Sequence, residues 1–147
     1  MKKNKKLQLN DLNFDEIKVG DSFSFDKFID NAMVDSFAEL THDYNPLHTD
    51  HNYAKNTEFG GRIAHGMLIG SFFSTLVGML CPGKKCLYLS QDLSFKNPLR
   101  PDSRVTVMGV ITNKSDAIKV IEIETIIKNN KGSVIVSGNA KVKVREK

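Results

Sequence analysis

Residues 63 to 81 read IAHGMLIGSFFSTLVGMLC and contain no Asp, Glu, Lys or Arg. An uncharged stretch of this length either crosses a bilayer or is wrapped by other protein. Its own polarity favours the second. His65, Gly66, Gly70, Gly78, Ser71, Ser74 and Thr75 dilute the apolar content, Pro82-Gly83 ends it abruptly, and no second such segment exists. The run therefore predicts a buried helix around which the rest of the chain must fold, and no membrane span.

The wrapping material reads as strands. From Leu87 onward, apolar and polar residues alternate in LYLSQDLSFKNPL, RVTVMGVITN, AIKVIEIETIIKN and SVIVSGNAKVKV, which is the two-residue period of half-buried strands. Turn-forming residues separate these runs at Pro98 to Ser103, Asn113 to Asp116 and Asn129 to Gly132. Four strands joined in sequence make an antiparallel meander, and Phe23, Phe25 and Phe28 mark a fifth. One buried helix and one curled antiparallel sheet give an α+β chain with the sheet wrapped around the helix. Ahead of these, Asp30 is placed to cap an amphipathic helix over 31 to 41, with Met33, Phe37, Leu40 and Thr41 on one side. Pro46 sets its limit.

At 147 residues, 40% hydrophobic and 26% charged, the chain has the balance of one globular domain. Lys2, Lys3, Lys5 and Lys6 account for the whole of its net charge of +4. A solvated basic tail over 1 to 13 ahead of a single domain over 14 to 147 follows from that distribution. No aromatic residues interleave the lysines as a nucleic-acid surface would require, and the apolar stretch of a secretory signal is missing. The expectation is a cytoplasmic protein without nucleic-acid partners. Cys81 and Cys86 match neither a CxxC redox motif nor a zinc site, so reduced, packing thiols are expected.

The chemistry-bearing residues cluster in one place. All four histidines fall between His42 and His65, and residues 42 to 48 read HDYNPLH. Asp43 and His48, five apart, cannot share a helix face. The Asn45-Pro46 turn can fold the chain back, with Thr49 or Asp50 capping a second short helix through Asn52, Tyr53 and Ala54. Carboxylate and imidazole could then share one water, the geometry of general acid–base chemistry. Ordinary turn chemistry accounts for the same residues, and spacing alone leaves both readings open. His42, His48, His51 and His65, with Asp43 and Asp50, are also enough ligands for a metal, but no HExxH or His-x-His pattern organises them, so none is expected. His65-Gly66 opens the buried helix, where unpaired N–H groups can receive an oxyanion. Gly66 serves either close approach of a ligand or simple packing, His65 reads first as a core histidine, and Ser74 either back-bonds or turns a hydroxyl into a pocket.

The segment FAELTHDYNPLHTDHNYA resembles the hydratase motif of the MaoC-like family, especially its (R)-specific enoyl-CoA hydratases, through Asp-x-Asn-Pro-Leu-His, the preceding Phe37 and the following Ala54. The likeness continues through GGRIAHGMLIGSFFSTLVGMLCPGKKCLYLSQDLSFKNPLRPDSRV and covers most of the chain from about residue 22. His42 departs from it, since the motif often carries Gly or an acidic residue there. The resemblance implies a hot-dog fold, a homodimer, and reversible hydration of a trans-2-enoyl-CoA thioester to the (3R)-3-hydroxyacyl thioester without a cofactor. Position by position it implies Asp43 and His48 as the catalytic pair, Gly66 as donor to the thioester oxygen, and Asn45, Ser74 and His65 as substrate-site residues, Asn45 by fixing the loop that holds the pair. Phe72, Phe73, Leu76 and Val77 could border an acyl tunnel, and Lys84, Lys85, Lys96 and Arg100 could meet CoA phosphates. An acyl-carrier-protein dehydratase, a hot-dog thioesterase and a non-catalytic acyl-thioester-binding or metal-binding module are the alternatives.

Overall fold

The computed structural model describes residues 4–147. In chain order the elements are β1 (Ser22–Ile29), α1 (Asn31–Thr41), α2 (Pro46–Thr49), α3 (His51–Ala54), α4 (Gly66–Thr75), β2 (Cys86–Gln91), β3 (Ser94–Phe95), β4 (Ser103–Ser115), β5 (Val120–Asn129) and β6 (Val134–Val144). All six strands belong to one antiparallel sheet, ordered β1-β4-β5-β6-β2, with β3 also paired to β6. Register explains the core. Phe25 faces Val107, Val107 faces Ile127, and Ile127 faces Val136, so one inward row crosses four strands. Every member of that row is buried, and Leu68, Ile69, Phe73 and Leu76 of the α4 run pack against it. Val77 and Cys81 continue onto a second row containing Ile111, Ile123 and Ala140.

This is the hot-dog arrangement, and the α+β expectation holds. The uncharged run is helical from Gly66 and ends in a wider turn over Leu76–Leu80, while residues 63–65 are extended. The helix is not covered all round: Met67, Ser71 and Ser74 are exposed. No helix among the described residues is long and apolar enough to cross a membrane. Each fully buried Leu, Ile or Phe side chain contributes about 1.5–3 kcal/mol, so Phe73, 1% exposed, is among the residues that fix the helix in place.

Three expectations are corrected in detail. The strand expected over 87 to 99 is broken after Gln91. There the Asp92 carbonyl occupies the space a Cβ on Gly138 would need, and Asp92 Oδ1 accepts from Asn139 N at 3.2 Å. Helix α1 has the expected bounds and Asp30 cap, with Met33 N donating to Asp30 Oδ1 at 2.9 Å. Its buried face, however, centres on Val34 and Ala38, and Leu40 stands 81% exposed. The basic tail, in its described part, is docked rather than free. The Asn4 side chain bonds both backbone groups of Phe28, Asn10 N donates to Met79 O at 2.8 Å, and Lys85 pairs with Asp11 at 2.8 Å. Lys2 and Lys3 lie outside the described residues.

Helix α1 ends at a left-handed residue, His42, with φ 62°. That conformation strains any side chain with a Cβ, and glycine is the usual occupant of a helix C-cap of this kind. His42→Gly should therefore raise stability by about 0.5–1 kcal/mol, read as a melting temperature higher by roughly 2–4 °C. An unchanged or lowered midpoint would mean that the His42 ring, stacked near Tyr44, repays the strain.

Candidate active site

The turn that follows His42 is built from its own side chains. Asp43 N donates to Thr41 Oγ1 at 3.3 Å, and Asn45 N donates to Asp43 Oδ1 at 3.2 Å, which holds the carboxylate over the turn. Pro46 opens α2 at the one position where its missing N–H costs nothing. Asn45 caps the helix by accepting from Leu47 N at 3.0 Å. Asp50 caps α3 in the same way, through Tyr53 N at 3.1 Å. The expected fold-back between Asp43 and His48 is thus two consecutive N-caps.

The segment 62–65, immediately ahead of α4, receives this turn. Ile63 N donates to Leu47 O at 3.2 Å, and His48 Nδ1 lies 2.8 Å from Ile63 O. A carbonyl can only accept, so Nδ1 is the donor, and in the neutral ring Nε2 carries the lone pair. His65 lies behind it, 2% exposed, with ring centroids 3.9 Å apart. His65 Nε2 is 3.2 Å from Asp43 O and 3.9 Å from Asp43 Oδ2. Facing two acceptors, that nitrogen must be the protonated one, and Nδ1 is then a buried acceptor with no partner. One side-chain atom each from Asp43, His48 and His65 lie within 4.8 Å of one another. That separation suits a bridging water between Asp43 and His48. It suits a metal poorly, because stacked imidazoles direct their lone pairs side by side, whereas a tetrahedral ion needs them to converge.

Gly66 and His48 line one cavity of about 360 Å³, walled by Phe59, Ile63, Ile69, Leu99, Ile135 and Val136. As the first residue of α4, Gly66 has an N–H without a helical acceptor. A Cβ there would lie 2.6 Å from Phe95 Cδ1, so only glycine allows the ring to sit against the helix entrance. The structure brings together Asp43, His48, His65 and Gly66. Asn45 builds the loop, its Oδ1 capping α2 and its backbone N–H holding the Asp43 carboxylate. His65 stands behind His48, outside the residues that line the cavity. Ser74 is about 12 Å along the helix from Gly66, in a separate groove with Ser71, Tyr88 and Gln91. Phe73, Leu76 and Val77 are core, and Phe72 lines another groove beside Met33 and Phe37. Of the basic residues, Lys96 lines the cavity, whereas Lys85 is engaged by Asp11 and Asn13, and Arg100 by Phe59 O. The cavity walls were not singled out in the sequence, although Ile63 stands in the same quoted run as Gly66.

The structure defines a class, the hot-dog proteins with a carboxylate and an imidazole close together at the entrance to the buried helix. Residues 14–131 match the family described as MaoC like domain, and the chain belongs to that family. It is 37% identical over 131 residues to the (R)-specific enoyl-CoA hydratase of Rhodospirillum rubrum, covering 89% of this chain and 90% of that one. Identity to the (R)-specific enoyl-CoA hydratase of Aeromonas caviae is 38% over 128 residues, covering 87% and 96%. A solved R-hydratase from Pseudomonas aeruginosa superposes with a TM-score of 0.90 at 30% identity, over 95% of this chain and 90% of that chain.

Burial pushes the His65 pKa below the ordinary histidine value of 6.5, against the opposing pull of the Asp43 carbonyl and carboxylate. The ring is neutral in both folded and unfolded chains at higher pH. As pH falls below about 6.5, the unfolded chain takes up a proton that the fold resists, and stability is lost until the lower folded pKa is passed. Chemical denaturation at pH 7.5, 6.5, 5.5 and 5.0 should show this decline, and His65→Phe, which keeps the ring stack without a titrating nitrogen, should flatten it. An equally steep decline in the variant would assign it to other groups.

Proposed function

We propose that the protein is an (R)-specific enoyl-CoA hydratase, a hydro-lyase that reversibly adds water to a trans-2-enoyl-CoA to give the (3R)-3-hydroxyacyl-CoA. The observation that carries this reading is the placement of His48 and Gly66 on one apolar cavity, with the Asp43 carboxylate within water-bridging distance of the His48 ring. An alkene conjugated to a thioester accepts a nucleophile at C3 while charge moves to the carbonyl oxygen. Gly66 N–H, at the positive end of α4, is the donor for that oxygen, and such a donor is worth about 3 kcal/mol. The water held by Asp43 and His48 bonds to C3 and passes a proton to the pair, which returns one to C2. Water is thereby added and the enzyme ends as it began. Asn45 and Thr41 contribute by holding Asp43, and the apolar walls receive the acyl chain. No step calls for a cofactor.

The same reading makes the protein a cytoplasmic homodimer. Strand β2 is paired only on its β6 side and carries exposed Leu87 and Leu89, a sheet edge suited to a second copy. A substrate contact from Ser74 would belong to such an assembly, because within one subunit its groove is separate from the pair. Relatives named as mitochondrial 3-hydroxyacyl-[acyl-carrier-protein] dehydratases, such as one from Arabidopsis thaliana at 29% identity, motivate a comparison of carriers in the same assay.

Hydration of crotonyl-CoA, followed as loss of the enoyl absorbance, tests the proposal. Wild-type protein should be active, and Asp43→Asn should lose activity by a factor on the order of 10²–10⁴ with its fold intact by circular dichroism. Full activity in Asp43→Asn would remove that residue from the reaction. Release of free thiol in place of hydration would make the protein a thioesterase.

A further inference from the structure

We infer that Arg62 is the positioning residue of the catalytic turn, holding His48 by its backbone and anchoring it to α1 through Asp35; this inference rests on the hydratase reading. The Arg62 side chain is 15% exposed. Its Nε donates to the carbonyl oxygen of His48, and its Nη2 donates to Asp35 Oδ1. Neither contact is local in sequence, since His48 lies 14 residues away and Asp35 27.

The need for such a residue follows from the length of α2. In a helix of four residues, Pro46–Thr49, only the Pro46 carbonyl is bonded along the helix, by Asp50 N at 3.0 Å; the carbonyls of Leu47 and His48 need partners from elsewhere, and a turn so short has little stability of its own. Residues 62–64 supply the missing partners. Ile63 takes the His48 ring on its carbonyl and gives its N–H to Leu47, while Ala64 N donates to Leu99 O at 2.8 Å and ties the segment to the strand side of the fold. The ring is thereby held at Nδ1 but could still tilt about that one bond. Arg62 adds a second point, on the backbone of the same residue. Its guanidinium is a planar fork with donors in fixed directions, so it can face His48 and Asp35 together, where a lysine ammonium offers a single point charge.

The outer anchor also has a consequence for the other half of the pair. Asp35 lies in α1, and the chain leaves the end of α1 through His42 directly into Asp43. One guanidinium therefore bridges the element that delivers Asp43 and the residue that supplies the imidazole. Charge on Arg62 also disfavours protonation of the neighbouring His65. Arg62 is not itself among the residues that line the cavity, and it reaches the cavity through its bond to the His48 carbonyl.

Steady-state hydration of crotonyl-CoA by Arg62→Lys, Arg62→Met, Asp35→Asn and the double variant Asp35→Asn/Arg62→Met tests this. A misplacement of about 1 Å costs on the order of 10²-fold in rate, so kcat should fall by roughly 10–100-fold in both Arg62 variants, with KM changed by less than about threefold. Asp35→Asn, at an exposed site, should lower kcat by about 3–10-fold, and the double variant should be no slower than Arg62→Met, because both changes act on one link. Free guanidinium should restore part of the kcat of Arg62→Ala and none of that of Asp43→Asn. Wild-type kcat in Arg62→Lys and Arg62→Met, an effect confined to KM, or additive losses in the double variant would overturn the assignment. Should Arg62→Met fail to fold, Asp35→Asn decides, and a wild-type kcat there overturns it. If wild type and Asp43→Asn behave as hydratase and inactive variant while the Arg62 and Asp35 changes have no effect, this inference alone fails. A wild type without hydration activity overturns both.

Discussion

The hydrogen bond between His48 Nδ1 and the carbonyl of Ile63, 2.8 Å long, is the contact on which the site depends. It joins a turn with little stability of its own to the short extended segment that feeds the buried helix. It also selects the tautomer, because a carbonyl partner requires a donor at Nδ1 and, in the neutral ring, leaves Nε2 as an acceptor. The same segment leads in two residues from Ile63 to His65 and in three to Gly66. The imidazole and the amide at the helix entrance are therefore set at nearly fixed separation by the covalent chain, and the sheet fixes both by enclosing α4.

Electrostatics around the pair follow from layering. Asp43 is half-exposed, His48 partly buried and His65 wholly buried behind it. Burial disfavours a positive charge on His65 behind His48, and its Nε2–H is turned toward Asp43. Two imidazoles stacked at 3.9 Å could not both carry a positive charge without strong repulsion. The front of the site is thus left to a single carboxylate, Asp43, and a single imidazole, His48.

Much of this was legible in the sequence because it is written in local patterns. The alternation after Leu87 and the uncharged run determine a sheet around a helix, and caps at Asp30 and at Thr49 or Asp50 are recognisable from neighbouring residues, the structure choosing Asp50 and adding Asn45. The Asp43–His48 juxtaposition is readable for the same reason, since an Asn-Pro turn can only fold the chain back. What the pattern does not carry is long-range packing. Ser74 and Gly66 share a helix, yet strand β2 closes a different groove over the serine. Val34 and Ala38 are the buried centre of α1 with Met33 at its margin, and Leu40 is left outside, because the sheet and α4 decide which stripe of α1 is covered. Asn4 and Asn10 tie down a segment whose lysines suggest a free tail, through side-chain amides whose partners, Phe28 and Leu80, are distant in sequence. Arg62 is a single charged residue in a loop, and nothing in its neighbours announces Asp35 or His48.

In the proposed reaction, a water held by one carboxylate and one imidazole on the same side of the alkene has a stereochemical consequence that no rearrangement of distant residues can imitate. Hydration of a trans-2-enoyl-CoA in D2O, with the relative configuration at C2 and C3 of the product read by proton NMR, measures it directly. Delivery of oxygen and deuteron to the same face is the result expected of a single shared water site at Asp43 and His48. Delivery to opposite faces would require a proton donor across the substrate and would contradict that site.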